Sequence, residues 1–146
     1  MSANALARLG LAALGPTLLA GCSSYGWTTV FNDTGATLIV NLPPAVIRRA
    51  EVKLRPGGHK AFSYRDVGAE PLRVRRGGCV YRYSLPLPGR AYLRASKGEA
   101  NTNVQIEPDF GVLLLPPSAR TVMSAAAVAK AQAYGYPIRP VSRICG

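Results

Sequence analysis

The chain is poor in the residues that carry most enzyme and metal chemistry. Its 146 residues include one histidine (His59), three cysteines and only seven Asp and Glu residues. One imidazole without a close pair of cysteines cannot fill a tetrahedral metal shell, so the sequence predicts no metal site and no cofactor. His59 has no recognisable nucleophile motif near it, and the carboxylates are scattered singly. We therefore expect a protein that is not an enzyme.

Negative charge is scarce, and the balance is strongly basic. Eighteen Lys and Arg residues, 14 of them Arg, give a formal net charge of +11. Hydrophobic residues make up 48% of the chain, too many for a disordered protein, and 15 Gly with 12 Pro indicate many turns. The positive excess favours anionic partners, such as phospholipid or lipopolysaccharide head groups, acidic polymers or nucleic acid.

No apolar run is long enough to cross a bilayer. The run near the start, from Leu9 to Ala20, is interrupted by Gly10, Gly15 and Pro16, and a membrane span needs about 20 apolar residues. This run follows a single positive charge at Arg8 and is typical of a secretory signal peptide.

The apolar run ends in Leu19-Ala20-Gly21-Cys22, which resembles the lipobox of bacterial lipoproteins. The resemblance covers only the first 22 residues. It implies that residues 1–21 are a signal peptide, that Cys22 is acylated, and that residues 22–26 form a lipid anchor and short tether. Residues 27–146 then form a single β-rich domain. More than one acyl chain makes such an anchor stable.

The residues after the cysteine bear on its destination. Ser23 and Ser24 follow Cys22, with no Asp; for a Gram-negative source, the resemblance implies the outer membrane, with the domain on the periplasmic side. Secretion also makes nucleic acid a poor candidate partner. The alternative is an ordinary signal peptide in which Cys22 is only the first mature cysteine.

The two remaining cysteines predict a disulfide. If Cys22 carries lipid, then Cys79 and Cys145 are left in an oxidising compartment, where they are expected to pair. The bridge would close a loop of about 65 residues and stabilise the fold by roughly 4 kcal/mol in the chain-entropy model. The alternative is two buried free thiols.

Short apolar stretches separated by turn signals fill most of the mature chain. This spacing predicts a mainly β fold, an antiparallel β-sandwich or small barrel of seven to nine short strands. Asn32 to Gly35 predicts a turn, whereas Pro56-Gly57-Gly58 and Gly77-Gly78 predict hairpins. Strands are expected near 37–42, 51–55, 60–65, 72–76, 79–85, 91–95, 104–107 and 112–115. One C-terminal Ala-rich helix is expected near 118–133, with Ser118 as its N-cap and Gly135 as its stop.

Arginines alternate with apolar and aromatic residues along the predicted strands. Because side chains on a strand alternate between faces, these arginines can share one face of a sheet. The candidate basic surface comprises Arg73, Arg75, Arg82, Arg90 and Arg94. A guanidinium matches phosphate and carboxylate groups with two parallel hydrogen bonds. The alternative is that these arginines only keep a sheet face soluble.

Three functions agree with these features. The first is a non-catalytic envelope lipoprotein whose basic β domain binds an envelope component: anionic lipid, lipopolysaccharide or an envelope protein. The second is an inhibitor of a cell-wall-degrading enzyme such as lysozyme, although lysozymes are typically basic and would repel this domain. The third is an accessory lipoprotein of a secretion or envelope-biogenesis assembly, docked through an open sheet edge.

Overall fold

Strands dominate the protein, which confirms the mainly β prediction. The computed structural model describes residues 25–41, 51–65, 72–86, 100–129, 132–133 and 135–146, so the strand expected at 91–95 lies outside the described residues. The strands are β1 (Tyr25–Asn32), β2 (Leu38–Asn41), β3 (Val52–Leu54), β4 (His59–Arg65), β5 (Leu72–Arg76), β6 (Cys79–Tyr83), β7 (Ala100–Ile106), β8 (Val112–Leu115) and β9 (Ser142–Cys145). A short helix, α1, covers Ala125–Val128. No helix in the described ranges is long and apolar enough to cross a membrane.

The first sheet has four strands in the order β4-β1-β7-β8. β1 pairs with β4, and β7 with β8, in antiparallel fashion. β1 and β7 run parallel, with Val30 opposite Val104, and this one pair departs from the antiparallel sheet that we predicted. A parallel pair needs a long crossover connection, and here the chain between β1 and β7 passes through the second sheet.

The second sheet has five strands in the order β3-β2-β5-β6-β9, all antiparallel. β5 and β6 form the predicted hairpin, in which Gly77 takes a positive φ of 57° that a residue with a side chain rarely adopts. The turn at 56–58 is tight, with Gly58 N–H donating to Arg55 C=O at 2.9 Å. It is not the predicted hairpin, however, because β3 pairs with β2 whereas β4 pairs with β1. The turn therefore carries the chain from one sheet to the other.

The core lies between the inner faces of the two sheets. On most of the strands, alternating residues point inward, as half-buried strands require; β9 buries none of its residues. The cluster contains Val30, Leu38, Val40, Leu54, Phe62, Leu72, Val74, Tyr81, Tyr83, Val104, Ile106, Phe110, Val112, Leu114 and Tyr136. The two sheets remain separate, so the fold is a β-sandwich and not a closed barrel.

A C-terminal segment covers the outer face of the four-stranded sheet. There a second cluster buries Phe31 and Leu115 against Ala119 and Val128. Gln105 on β7 fixes this cover, because its amide donates to Met123 C=O at 2.6 Å and accepts from Met123 N–H at 2.8 Å. The two apolar side chains of the sheet are thereby removed from water.

The helix is shorter than predicted, and it begins at a different residue. Ser124, not Ser118, is the N-cap, and its side chain accepts from Ala127 N–H; residues 118–124 are not helical. The reason is competition for backbone groups. Asn103 on β7 donates to the carbonyls of two prolines at 116 and 117, and Gln105 occupies both backbone groups of Met123. The bonds to Met123 take two backbone groups that a helix over 118–133 would use, whereas the bonds to the prolines attach the start of the segment to β7.

Candidate binding surface

The outer face of the five-stranded sheet carries three of the five predicted arginines. The β5–β6 register places Arg73 opposite Arg82 and Arg75 opposite Val80. The intervening residues of these strands, which include Val74 and Tyr81, point into the core. Arg73, Arg75 and Arg82 therefore lie together on the outer face of this sheet.

A shallow depression of about 240 Å³ lies over these arginines. Its lining residues come from β2, β5, β6 and the residue before β3, and they are Ile39, Asn41, Glu51, Arg73, Arg75, Val80 and Arg82. The register explains this grouping, because β2 lies beside β5 and sets Ile39 opposite Arg75 and Asn41 opposite Arg73. Ile39 and Val80 thus lie on either side of Arg75, so the lining combines apolar and cationic side chains.

The depression is electropositive. Three guanidinium groups face one carboxylate, Glu51, whose Oε2 lies 3.4 Å from Arg75 Nη2. Both partners are about half exposed, at 46% and 55%, so this ion pair contributes little. Within the described ranges, neither Arg73 nor Arg82 forms an ion pair, although the two stand directly opposite each other. Like charges in that position destabilise a sheet.

The other predicted site residues divide into two groups. Arg90 and Arg94 of the predicted basic surface, and the predicted lipidation residue Cys22, lie outside the described residues. The predicted disulfide is present: Cys79 and Cys145 are opposite each other in β6 and β9, with Cα atoms 4.0 Å apart, and are bridged. This bond fixes the edge strand of the sheet that carries the arginines.

Besides Val80, which lies on β6 with Arg82, the sequence reasoning missed three lining residues from other strands: Ile39, Asn41 and Glu51. Their strands reach β5 through a non-sequential pairing of β2 with β5. In β2, Leu38 and Val40 point inward, whereas Ile39 and Asn41 point outward. Because Ile39 is as apolar as the inward residues, polarity does not distinguish the two faces of this strand. The only signal in the sequence was the polar Asn41 at the end of an apolar run. It indicated a solvent-facing position, but not which strand lies beside it.

Two titratable residues outside the depression, Asp109 and Tyr83, make contacts that stabilise the fold. The turn after β7 is held by Asp109, whose carboxylate accepts from Gly111 N–H at 2.9 Å and pairs with Arg139. These two partners hold the pKa of Asp109 below its usual value. Burial raises the pKa of Tyr83, whose hydroxyl donates to Phe110 C=O at 3.0 Å.

The remaining candidate groups do not converge on a reactive centre. His59 is exposed and stacks on Phe31, with ring centroids 4.9 Å apart. The part of the chain that the structure describes contains no group of three or more His, Cys, Asp or Glu residues that could hold a metal ion. The Arg73–Arg75–Arg82 depression is therefore the best candidate site in the described ranges.

Comparison with protein-family models, with curated proteins and with solved structures finds no match to this chain. The assignment of function consequently depends on the chemistry of the surface and on the N-terminal motif.

Proposed function

We propose that this protein is a non-catalytic, lipid-anchored bacterial envelope protein that binds an anionic envelope component through the outer face of its five-stranded sheet. The observation that carries the proposal is the direct pairing of Arg73 with Arg82 over an open depression, with no carboxylate paired to either among the described residues. A bound anion between Arg73 and Arg82 would offset the repulsion between their two guanidinium groups.

Placement in the envelope is supported by the N-terminal motif and by the cysteines. Cys22 lies three residues before the start of β1, so an acylated Cys22 would hold the sandwich close to its membrane. The bridged Cys79 and Cys145 agree with an oxidising compartment such as the periplasm, on the outer-membrane side.

The chemistry of the surface favours phosphate groups of anionic phospholipid or lipopolysaccharide. Arg forms bidentate hydrogen bonds to phosphate, and Ile39 and Val80 between the arginines offer apolar contact to the rest of such a molecule. With a formal charge of +11, or 11 − 1 = +10 once Arg8 is removed with the signal peptide, the whole domain would be attracted to an anionic surface. The same charge argues against an inhibitor of lysozymes, which are typically basic.

A second candidate function is that of an accessory lipoprotein in a secretion or envelope-biogenesis assembly. It is favoured by β9, which is an edge strand of its sheet. Ile144 on this strand and Val141 just before it are 57% and 68% exposed. An edge strand with exposed apolar side chains suits strand addition by an extended partner segment.

Vesicle binding by the soluble fragment 23–146 tests the leading proposal. Arg73→Gln/Arg82→Gln is compared with Arg55→Gln/Arg120→Gln, which removes the same charge from exposed residues outside the depression. Each basic residue at an anionic membrane contributes about 1 kcal/mol, so the first variant should bind anionic vesicles roughly 30-fold more weakly.

The control variant should lose much less affinity, and salt should weaken the binding of the unsubstituted fragment. Equal binding of that fragment to neutral and anionic vesicles would contradict the proposal for lipid. An equal loss in both variants would show that net charge acts without a specific surface.

A further inference from the structure

The direction of the strands determines which end of the sandwich lies nearest to Cys22. Cys22 precedes Tyr25, the first residue of β1, by three positions, and a fully extended chain covers at most about 3.6 Å per position. The start of β1 therefore lies within about 11 Å of the α-carbon that would carry the acyl chains. In register with it are Arg65, the last residue of β4, and Ala100, the first residue of β7.

The opposite end of the sandwich is equally well defined. Asn32, the last residue of β1, bonds to Gly58 in the turn between β3 and β4, and its amide donates to Leu54 C=O at 2.9 Å. Following the antiparallel register from Leu54 through β2 and β5 brings the Cys79–Cys145 disulfide to this same end. The two ends of β1 thus mark an end near the anchor and an end far from it.

The end near the anchor carries the single tryptophan of the chain. Trp27, two residues into β1, is 47% exposed, whereas Phe31 on the same face of β1 is buried beneath the C-terminal segment. The protein therefore covers this face at its far end and leaves the indole at its near end in contact with solvent. Tryptophan prefers the boundary between membrane and water, because its ring is apolar and its N–H needs a polar partner.

We infer that Trp27 inserts into the interface of the bilayer that holds the acylated Cys22, and so orients the sandwich with its disulfide end pointing away from the membrane. The inference rests on the proposed lipid anchor, which holds Trp27 five residues away from the acylated cysteine. The occupant of this exposed position is thus the lipid interface itself. The Arg73–Arg82 pair is on the outer face of the other sheet, so it is not part of this contact.

Fluorescence of the acylated mature protein, which begins at Cys22, tests this orientation directly, since Trp27 is its only source of indole emission. The protein is reconstituted in phosphatidylcholine–phosphatidylglycerol vesicles with and without lipids brominated near the glycerol end of the acyl chains. We expect the emission of Trp27 to shift to shorter wavelength on reconstitution. We also expect it to lose the larger part of its intensity to the brominated lipids.

A matched variant, Trp27→Phe/Arg55→Trp, moves the single indole to an exposed residue beside the turn at the far end. Its emission should be insensitive to the brominated lipids. Equal quenching of the two proteins, or no quenching of Trp27, overturns the inference.

Flotation of the vesicles and the mass of the N-terminal peptide separate this failure from a failure of the anchor. Acylated protein that floats without quenching of Trp27 overturns the orientation alone, leaving the anchor in place. Protein that carries no acyl mass and does not float overturns both.

Discussion

The two sheets of the sandwich differ in what covers their outer faces. The four-stranded sheet presents Phe31 and Leu115 outward, and the C-terminal segment buries both. The five-stranded sheet presents Arg73 and Arg82 outward, and both remain exposed. Burying an unpaired guanidinium costs far more than burying an apolar ring gains. The chain therefore covers the face that it can dehydrate and leaves the charged face exposed to solvent.

The outer strands of the two sheets are also held by different means. On β8 of the four-stranded sheet, Gln132 exchanges two hydrogen bonds with the backbone of Leu114, and Ile138 pairs with Val112. On the five-stranded sheet, β9 is joined to β6 by the Cys79–Cys145 disulfide. The edge strand of the four-stranded sheet is thus held by noncovalent contacts, whereas the edge strand of the five-stranded sheet is held by a covalent bond.

Removal of the disulfide should have the largest effect on stability. A bridge between residues 66 positions apart lowers the chain entropy of the unfolded state, so Cys79→Ala/Cys145→Ala should lose about 4 kcal/mol of unfolding free energy. Urea denaturation of the soluble fragment measures this loss, with the unsubstituted fragment under reducing conditions as a second comparison. A loss no larger than that from an exposed-residue substitution would show that β9 is held by its hydrogen bonds alone.

Breaking the cover of the four-stranded sheet should have a smaller effect. Gln105→Ala removes the two hydrogen bonds that hold the partly buried N–H and C=O of Met123, which should destabilise the fold by about 2 kcal/mol. Urea denaturation again gives the magnitude. Arg120→Ala, at an exposed residue of the same segment, should change the free energy by less than about 0.5 kcal/mol. If both variants changed the unfolding free energy by similar amounts, the bonds from Gln105 would not be what holds the C-terminal segment on the sheet.

Local patterns predicted the local features of this fold. Alternation along β5 and β6, with the glycines between them, predicted both the hairpin and the shared face of Arg73, Arg75 and Arg82, and these features depend on neighbours in sequence. The disulfide was predicted from three cysteines once Cys22 was assigned to lipid, which left Cys79 and Cys145 as the remaining pair. The parallel pairing of β1 with β7 and the contact of β2 with β5 depend on how distant strands meet, which alternation does not encode.

The helix is also a feature in which local sequence predicted a structure that a tertiary contact overrides. The Ala-rich composition of 118–133 favours a helix locally, but the side-chain amide of Gln105 on β7 takes the N–H and C=O of Met123, which a longer helix would use. Glu51 entered the candidate site for a similar reason, because β3 reaches the arginines only through β2. In each case a tertiary contact decided between local alternatives.

Substitution of one arginine on the open face should give the smallest change in stability, and one of opposite sign. Arg82→Gln removes the like charge facing Arg73, so the unfolding free energy of the soluble fragment should rise by about 0.5 kcal/mol at low salt. The gain should shrink as salt is added. Arg73→Gln should give a similar gain, and the double variant less than the sum of the two, since either substitution alone removes the repulsion.

The same substitution should weaken binding to anionic vesicles, so that stability and binding change in opposite directions. Arg120→Gln, exposed on the covered side of the molecule, should leave both nearly unchanged and serves as the matched control. If Arg82→Gln lowered the stability of the free fragment instead, the two guanidinium groups would already be compensated within the protein. The proposal that an anion binds between Arg73 and Arg82 would then lose its physical basis.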